Sequence, residues 1–245
     1  ASGADHIILD VKYGSGAFIK TKEDAEKLSD IMVEIGKRLN RNICAVISSM
    51  EQPLGRAVGN SIEVIEVIEF LKGNTEKDLK EITYTLCHKA FEKAGKFKTK
   101  EESFKYLDEL LESGKALEKF KEIIEAQNGD TGIIDDYSKF PQASVKYEVK
   151  STKSGFVKNT DALKIAKACK NIGAGREKKS DTPDFSAGIY LTQKYGEPVC
   201  EGETVAIIYT NKPETVKEAE SMILSAYEIT EEKPRDISLI YKIID

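Results

Sequence analysis

The residues best suited to chemistry form a glycine loop that directly follows an apolar, β-branched run. The run is His6 to Val11, the loop is Gly14-Ser15-Gly16, and Thr21, three residues before Asp24, predicts the start of a helix. Glycines let the backbone turn tightly and approach a ligand closely, so this loop could hold a substrate. A tight connector between a strand and a helix has the same pattern, and the loop alone does not distinguish the two.

A second loop, Met50 to Asn60, contains one proline and two glycines and precedes a helix predicted over Ser61 to Leu71. That helix carries Glu63, Glu66 and Glu69 among isoleucines and valines. Residues three apart share roughly one helix face, so these carboxylates are neighbours. By itself, the pattern is typical of a solvated helix surface.

Other motifs give weaker indications. Gly173-Ala174-Gly175-Arg176 could cradle an anion, although a connector is the favoured interpretation. Cys87 and His88 are neighbours on a predicted helix and point in different directions, which argues against a shared site. No CxxC pair occurs, so the cysteines are expected to be reduced and mostly buried. They are Cys44, Cys87, Cys169 and Cys200.

The composition of the 245 residues is that of a globular protein, with 40% hydrophobic and 32% charged residues. A net charge of −5 argues against general nucleic-acid binding, which needs a positive field. No apolar run is long enough for a membrane span, and no signal-peptide pattern opens the chain. We therefore expect neither nucleic acid nor membrane among the partners, and a cytoplasmic location.

The elements that must position these residues fall into two predicted domains. Residues 1–144 alternate strands and helices, and the β–α–β spacing predicts a parallel pair with a right-handed crossover. Residues 145–245 have shorter strands interrupted by two helices, which predicts a smaller α+β domain. Residues 129–144, rich in Asp, Gly and Pro, are predicted to be a linker. The predicted strands are His6–Val11, Asn42–Ser49, Val145–Val149, Gly155–Val157, Phe185–Leu191, Val205–Tyr209 and Ile237–Ile244, and the predicted helices are Lys22–Leu39, Ser61–Leu71, Lys77–Ala94, Lys100–Ser113, Lys115–Asn128, Asp161–Asn171 and Glu214–Ala226.

Three segments resemble one enzyme family closely. LDVKYGSGAF, residues 9–18, is similar to the LDVKxGSGAF motif of the pyrimidine-nucleoside and thymidine phosphorylase family. Residues 50–60 and the helix after them resemble its DMxQPLGxAVGNxxEVxEA segment, with Ser49 where Asp is usual and Glu51 where Asn or Asp is usual. Residues 114–130 resemble its GKALEKF and AQNGD segments. The resemblance runs in order along almost the whole chain.

The resemblance implies an α/β fold with a mainly parallel sheet and flanking helices. A smaller α+β carboxyl-terminal domain with a hammerhead or barrel-sandwich-like element is expected to follow. Within that domain, Lys194 to Gly202 resembles the turn of lipoyl- and biotinyl-like folds, without their Met-Lys-Met modification signature.

The activity implied by the family is phosphorolysis of a pyrimidine nucleoside, with phosphate as co-substrate. Phosphate attacks the anomeric carbon, the base leaves and a pentose 1-phosphate forms, through a transition state that resembles an oxocarbenium ion. Positioning and preorganised electrostatics should dominate the catalysis. The family also implies a homodimer for the full-length protein, and the choice between thymidine and uridine stays open.

Four positions correspond to site residues of the family. Phe18 matches the position that lies against the 5-substituent edge of the pyrimidine, with a core phenylalanine as the alternative. Leu54 and Ala57, through main-chain carbonyls, and Glu66, through its carboxylate, match the later ligands of a potassium ion that steadies the phosphate loop in some family members; the other ligands belong to that loop. A weakly hydrated monovalent cation suits carbonyl oxygens and one carboxylate. For Glu66, the alternative is a solvated helix residue.

The chain has no initiator methionine, and Ala1 to Asp5 resembles the frayed end of a helix. We therefore expect the later part of a longer phosphorylase. Such a part would lack the family's phosphate loop and the Arg, Ser and Lys that grip the pyrimidine, and would be inactive alone. Two alternatives stay open: a related phosphorylase acting on nucleoside monophosphates or on thymidine only, and a non-catalytic scaffold or assembly fragment.

Overall fold

The computed structural model describes residues 3–176 and 178–245 and has a mixed α/β architecture. The strands are β1 (His6–Tyr13), β2 (Asn42–Ser49), β3 (Ala57–Gly59), β4 (Val145–Lys150), β5 (Gly155–Thr160), β6 (Gly188–Leu191), β7 (Pro198–Val199), β8 (Thr204–Thr210), β9 (Tyr227–Thr230) and β10 (Ile240–Ile244). The α-helices are α1 (Lys22–Arg38), α2 (Ser61–Leu71), α3 (Lys77–Lys93), α4 (Lys100–Glu112), α5 (Lys115–Ala126), α6 (Ala162–Cys169) and α7 (Val216–Ala226). Of the helix end predicted at residues 1–5, Ala1 and Ser2 lie outside the described residues.

β1 and β2 form the parallel pair that the β–α–β spacing predicts, in register over all eight positions. Between them, α1 begins at the predicted cap, where the Asp24 N–H donates to Oγ1 of Thr21 at 3.2 Å. Ala25 and Val33 of α1 are buried in one core with Ile47 of β2. The crossover helix thus covers the sheet with small and branched side chains that allow close approach.

The carboxyl-terminal strand makes this first sheet mixed. β10 pairs antiparallel with β2, which gives the order β1-β2-β10. Among the described pairings, β1 with β2 is the parallel one, so the predicted mainly parallel sheet is not confirmed. Local patterning predicted a strand near the carboxyl terminus but could not indicate which sheet it joins.

A second sheet, in the order β3-β6-β8-β4, is antiparallel throughout. Its edge strand β3 was not predicted, because three residues inside a proline- and glycine-bearing loop show no alternation. β3 comes from the first predicted domain, whereas β10 carries the second domain into the first sheet. The boundary near residue 144 stays a prediction, and each predicted domain contributes one strand to a sheet of the other.

The third sheet has the order β7-β5-β9 and shares the largest core with α6 and α7. Ile165, Ile189, Ile208 and Ile223 are fully buried there. The hammerhead or barrel-sandwich-like detail is not confirmed. The strand predicted from Phe185 begins at Gly188 instead, because the carboxylate of Asp184 accepts hydrogen bonds from Ser186 and forms a turn.

The segment predicted as a linker is folded and packed. It contains two short 3-10 helices, Thr131–Ile134 and Tyr137–Lys139, each capped by the aspartate before it. Ile134 is fully buried, and its carbonyl accepts a hydrogen bond from Nζ of Lys72 at 2.7 Å. The apolar residues inside this polar stretch were the feature of the sequence that could have indicated packing.

In the part of the chain that the structure describes, each helix is too short or too polar to cross a lipid bilayer.

Candidate functional site

Two loops meet at the carboxyl ends of β1 and β2; residues 14–21 are called the first loop and residues 50–60 the second loop. The Gly16 N–H donates to the carbonyl of Met50 at 2.9 Å, and the Met50 N–H donates to the carbonyl of Tyr13 at 2.6 Å. Because β1 and β2 are parallel, both loops lie at one edge of the sheet. That edge is where α/β proteins bind ligands.

The first loop is a packed connector. Ser15 donates from its N–H to Oε2 of Glu51 and from its hydroxyl to the Glu51 carbonyl, both at 3.0 Å. Gly14 has a φ of +117°, and a Cβ at that position would lie 2.9 Å from the carboxyl carbon of Glu51. These contacts favour the connector interpretation, because the donors of Ser15 are already satisfied by Glu51 of the adjacent second loop.

Phe18 is fully exposed, although its neighbour Ala17 is buried. The alternative of a core phenylalanine is therefore wrong. Nζ of Lys20 donates to the carbonyls of Ser15 at 2.9 Å and of Ala17 at 2.7 Å, which fixes the backbone that presents the ring. A solvated aromatic ring is a surface that a planar base or another apolar group can cover.

Glu66 reaches back from α2 into the second loop. Its Oε1 accepts hydrogen bonds from the N–H of Arg56 at 2.6 Å and of Ala57 at 3.3 Å. Gly55 has a φ of +67°, and a Cβ there would overlap the Glu66 carboxylate. The alternative of a solvated helix residue is wrong for Glu66, and the fold brings it together with Ala57 and the segment that follows Leu54.

The three glutamates of α2 do not converge on one point. Glu63 accepts a hydrogen bond from the Gly59 N–H at 2.8 Å, whereas Glu69 bonds to the hydroxyl of Tyr137. Within residues 3–176 and 178–245, no cluster of three or more His, Cys, Asp or Glu side chains could hold a metal ion. A cation beside Glu66 would therefore depend on main-chain carbonyls, a donor set that suits a weakly hydrated monovalent ion.

Burial is the largest influence on the Glu66 carboxyl and raises its pKa. The N–H groups of Arg56 and Ala57 oppose that effect, and so does the positive charge of Lys194. Burial disfavours the ionised form of the Glu66 carboxyl group. A cation bound beside it would therefore stabilise the negative charge.

Arg56 connects the second loop to two distant segments. Its guanidinium contacts Glu197 at 2.5 and 3.2 Å and Glu76, just before α3, at 2.8 Å. It also donates to the carbonyl of Thr192 at 2.9 Å. Arg56 is 16% exposed, and the two glutamates are about one-third exposed, so this network is partly withdrawn from water.

A second charged contact lies beside the first. Nζ of Lys194 pairs with Oδ2 of Asp78 in α3, and the same carboxylate oxygen accepts the N–H of Gly55 at 3.2 Å. Lys194 and Glu197 belong to one turn, which therefore holds the second loop at two points. The three ion pairs of Arg56 and Lys194 border a cavity of about 200 Å³, lined among others by Ser49, Pro53, Leu54, Tyr195 and Ile237.

Sequence reasoning missed this charged network. Arg56 stood inside a family motif without a role, and Glu197 stood in a turn considered only for its shape. The two residues are 141 positions apart, so no local periodicity relates them. A charged residue inside each of two glycine-bearing turns was the available signal, and it could not indicate the pairing.

The glycine loop that begins at Gly173 is a connector, which is the interpretation that the sequence favoured. Gly173 has a φ of +105°, and its carbonyl accepts the N–H of Asp184 at 2.9 Å. Nδ2 of Asn60 donates to the carbonyls of Ala174 and Asp184 at 3.0 and 3.2 Å. The segment thus anchors the end of the second loop.

Two family models match the chain in order. Residues 1–117 match the a/b domain of the Glycosyl transferase family, and residues 156–230 match the Pyrimidine nucleoside phosphorylase C-terminal domain. The chain thus combines a segment similar to the a/b domain of the Glycosyl transferase family with a segment similar to the carboxyl-terminal domain of pyrimidine nucleoside phosphorylases. The chain is also 45% identical over 247 residues to pyrimidine-nucleoside phosphorylases of Staphylococcus aureus strain bovine RF122 / ET3-1 and strain USA300. The chain belongs to the pyrimidine-nucleoside phosphorylase family.

These alignments cover 100% of this chain and 56% of each relative. The chain thus spans about half the length of the curated relatives it matches.

Proposed function

We propose that the protein to which this chain belongs phosphorolyses pyrimidine nucleosides, yielding a free base and a pentose 1-phosphate. The observation that carries the proposal is the 45% identity along the entire chain to proteins named pyrimidine-nucleoside phosphorylase. The two family models, matched in order, support the same activity. Phosphate is the co-substrate, and the reaction transfers a pentosyl group from the base to phosphate.

Within this reaction, Phe18 is proposed to contact the pyrimidine. Its complete exposure beside the buried Ala17 supports this role, because the first loop is held firmly while the ring remains accessible. A base stacked against the ring would cover apolar surface on both partners.

Leu54, Ala57 and Glu66 are proposed to hold a potassium ion. The support is the placement of the Glu66 carboxylate at the turn of Gly55, where its hydrogen-bond donors are backbone amides of the second loop. A bound cation would supply positive charge that steadies this loop and the phosphate site.

The potassium proposal is tested by thermal unfolding in potassium chloride against sodium chloride at equal ionic strength. We expect potassium to raise the Tm of the wild type and to have no selective effect on Glu66→Gln. Glu63→Gln is the matched control, since Glu63 accepts one amide of the same loop but is not a proposed ligand. An equal Tm in both salts would reject the site.

The activity is tested by incubating the complete gene product with thymidine, uridine and their monophosphates, with and without phosphate, and following ultraviolet absorbance. We expect base release from the nucleosides only when phosphate is present. Release from the monophosphates alone would favour a related phosphorylase, and release from none would favour a scaffold.

The 245-residue chain is assayed by itself in parallel with the complete gene product. Turnover by this chain alone would show that the prediction of missing phosphate and pyrimidine grips is wrong. The homodimer stays a prediction of the family resemblance, and the cytoplasmic location stays a prediction from the sequence composition.

A further inference from the structure

The second loop is held by carboxylates at three consecutive amides. The Gly55 N–H donates to Asp78, and the N–H groups of Arg56 and Ala57 both donate to Glu66. In addition, the Arg56 carbonyl accepts the N–H of Leu191 in β6 at 2.8 Å. The backbone between the proposed cation ligands Leu54 and Ala57 is therefore fixed from several directions.

The turn formed by residues 194–197 adds two contacts that support these restraints. Lys194 pairs with Asp78, the acceptor of the Gly55 amide, and Glu197 pairs with Arg56 itself. The turn also fixes its own acid, because the Lys194 N–H donates to Oε2 of Glu197 at 2.7 Å. The turn belongs to the region of the third sheet, since the Glu197 carbonyl accepts an N–H from β5.

We propose that Arg56 is a positioning residue for the second loop, and that its ion pair with Glu197 sets the affinity of that loop for the cation. The inference rests on the proposed cation site and adds what shapes it. Neither Arg56 nor Glu197 would touch the ion. They act by fixing the backbone whose carbonyls face it.

The chemistry of the pair explains why Arg56 suits this role. A guanidinium offers several donors in a rigid plane, so one side chain can bind Glu197, Glu76 and a carbonyl at once. Lysine has a single nitrogen and cannot span the same three partners with fixed geometry. Because the network is partly withdrawn from water, removing one partner leaves a poorly solvated charge, and the loop would shift to relieve it.

The experiment compares the 245-residue chain with its Glu197→Gln variant, using Glu228→Gln as the matched control. Glu228 pairs with Lys158 at 2.6 Å, and both side chains are about half exposed, so the control loses a solvated pair near the same sheet. Hydrogen exchange is measured at the amides of the second loop and of β2. The potassium concentration that gives half of the thermal stabilisation is measured in parallel.

For Glu197→Gln we expect exchange at Gly55, Arg56 and Ala57 to accelerate about tenfold, with β2 unchanged. The half-saturating potassium concentration should rise about fivefold, with Glu197→Asp recovering part of the loss. Glu228→Gln should change neither quantity. Arg56→Lys is the second variant, and we expect the same direction with smaller changes.

Faster exchange spread equally over the loop and β2 would overturn the proposal, because it would indicate general destabilisation. Unchanged exchange in the second loop would overturn it too. If potassium does not stabilise the wild type, the cation site itself fails, and the exchange data alone decide whether Arg56 positions the loop.

Discussion

The first and second loops occupy equivalent places after β1 and β2 but are stabilised in different ways. The first loop satisfies its polar groups partly within itself, through Lys20, and partly through Glu51 of the adjacent second loop. The second loop is held by side chains from α2, α3 and the turn at residues 194–197. A glycine motif alone therefore does not mark the more elaborate site. Long-range charged contacts distinguish the second loop.

The largest expected effect comes from removing the positive-φ glycine of the second loop. In Gly55→Ala, the new methyl group would combine backbone strain with overlap against the Glu66 carboxylate. We expect a loss of about 3 kcal/mol in the free energy of unfolding, measured by urea denaturation.

Gly95→Ala is the matched control for this change. Gly95 has a φ of +70°, and a Cβ there would meet nothing within 4 Å. Gly95→Ala should lose only about 1 kcal/mol of the free energy of unfolding, because it introduces the strain of the left-handed backbone and no overlap. Equal losses in the two variants would show that the Glu66 carboxylate does not restrict Gly55.

A smaller loss is expected when Glu66 itself is shortened. Glu66→Ala leaves the amides of Arg56 and Ala57 without their acceptor, at a cost of about 2 kcal/mol. Ser15→Ala in the first loop removes one hydroxyl donor, and we expect about 1 kcal/mol or less. Urea denaturation of both variants under identical conditions measures the difference. A larger loss for Ser15→Ala would reverse the proposed contrast between the loops.

The next expected effect depends on pH and concerns Glu197. Burial is the largest single influence on its carboxyl and raises the pKa, but hydrogen bonds from Arg56 and the Lys194 amide bring the pKa below its usual 4.5. The unfolded chain therefore binds this proton more readily than the folded chain. The stabilisation is complete above about pH 4.5 and is lost as the pH falls through the lower, folded pKa.

The measurement is the Tm of wild type and Glu197→Gln between about pH 7 and pH 3. We expect the wild type to be more stable near neutral pH and its advantage to shrink in acid. A Tm difference that stays constant over this range would show that the ionised carboxylate contributes nothing specific.

Much of the fold could be predicted from local patterns. The eight-residue strands, the cap at Thr21 and the run of helices after Ser61 each have a signal within a few residues. The partners of β3 and β10 could not be predicted, because pairing of short strands depends on contacts between distant parts of the chain. Glu66 was predicted from the family resemblance, whereas the contact between Arg56 and Glu197 had no local signal in the sequence. Glu66 lies ten positions from Arg56, within one motif, whereas Glu197 belongs to a separate segment.

The smallest expected change in stability is at Phe18, the aromatic ring that the first loop presents to solvent. Because the ring is fully exposed, Phe18→Ala should change the free energy of unfolding by no more than about 0.5 kcal/mol.

If Phe18 contacts the pyrimidine, the same variant of the complete enzyme should raise the KM for thymidine about tenfold, since a stacked aromatic contact is lost. The KM for phosphate should remain unchanged, because in the proposed reaction phosphate would attack the sugar on the face opposite the base. Phe18→Tyr keeps the ring and should retain most of the affinity. An unaltered thymidine KM in Phe18→Ala would leave the exposed ring without a role in substrate binding and would assign the first loop to connection alone.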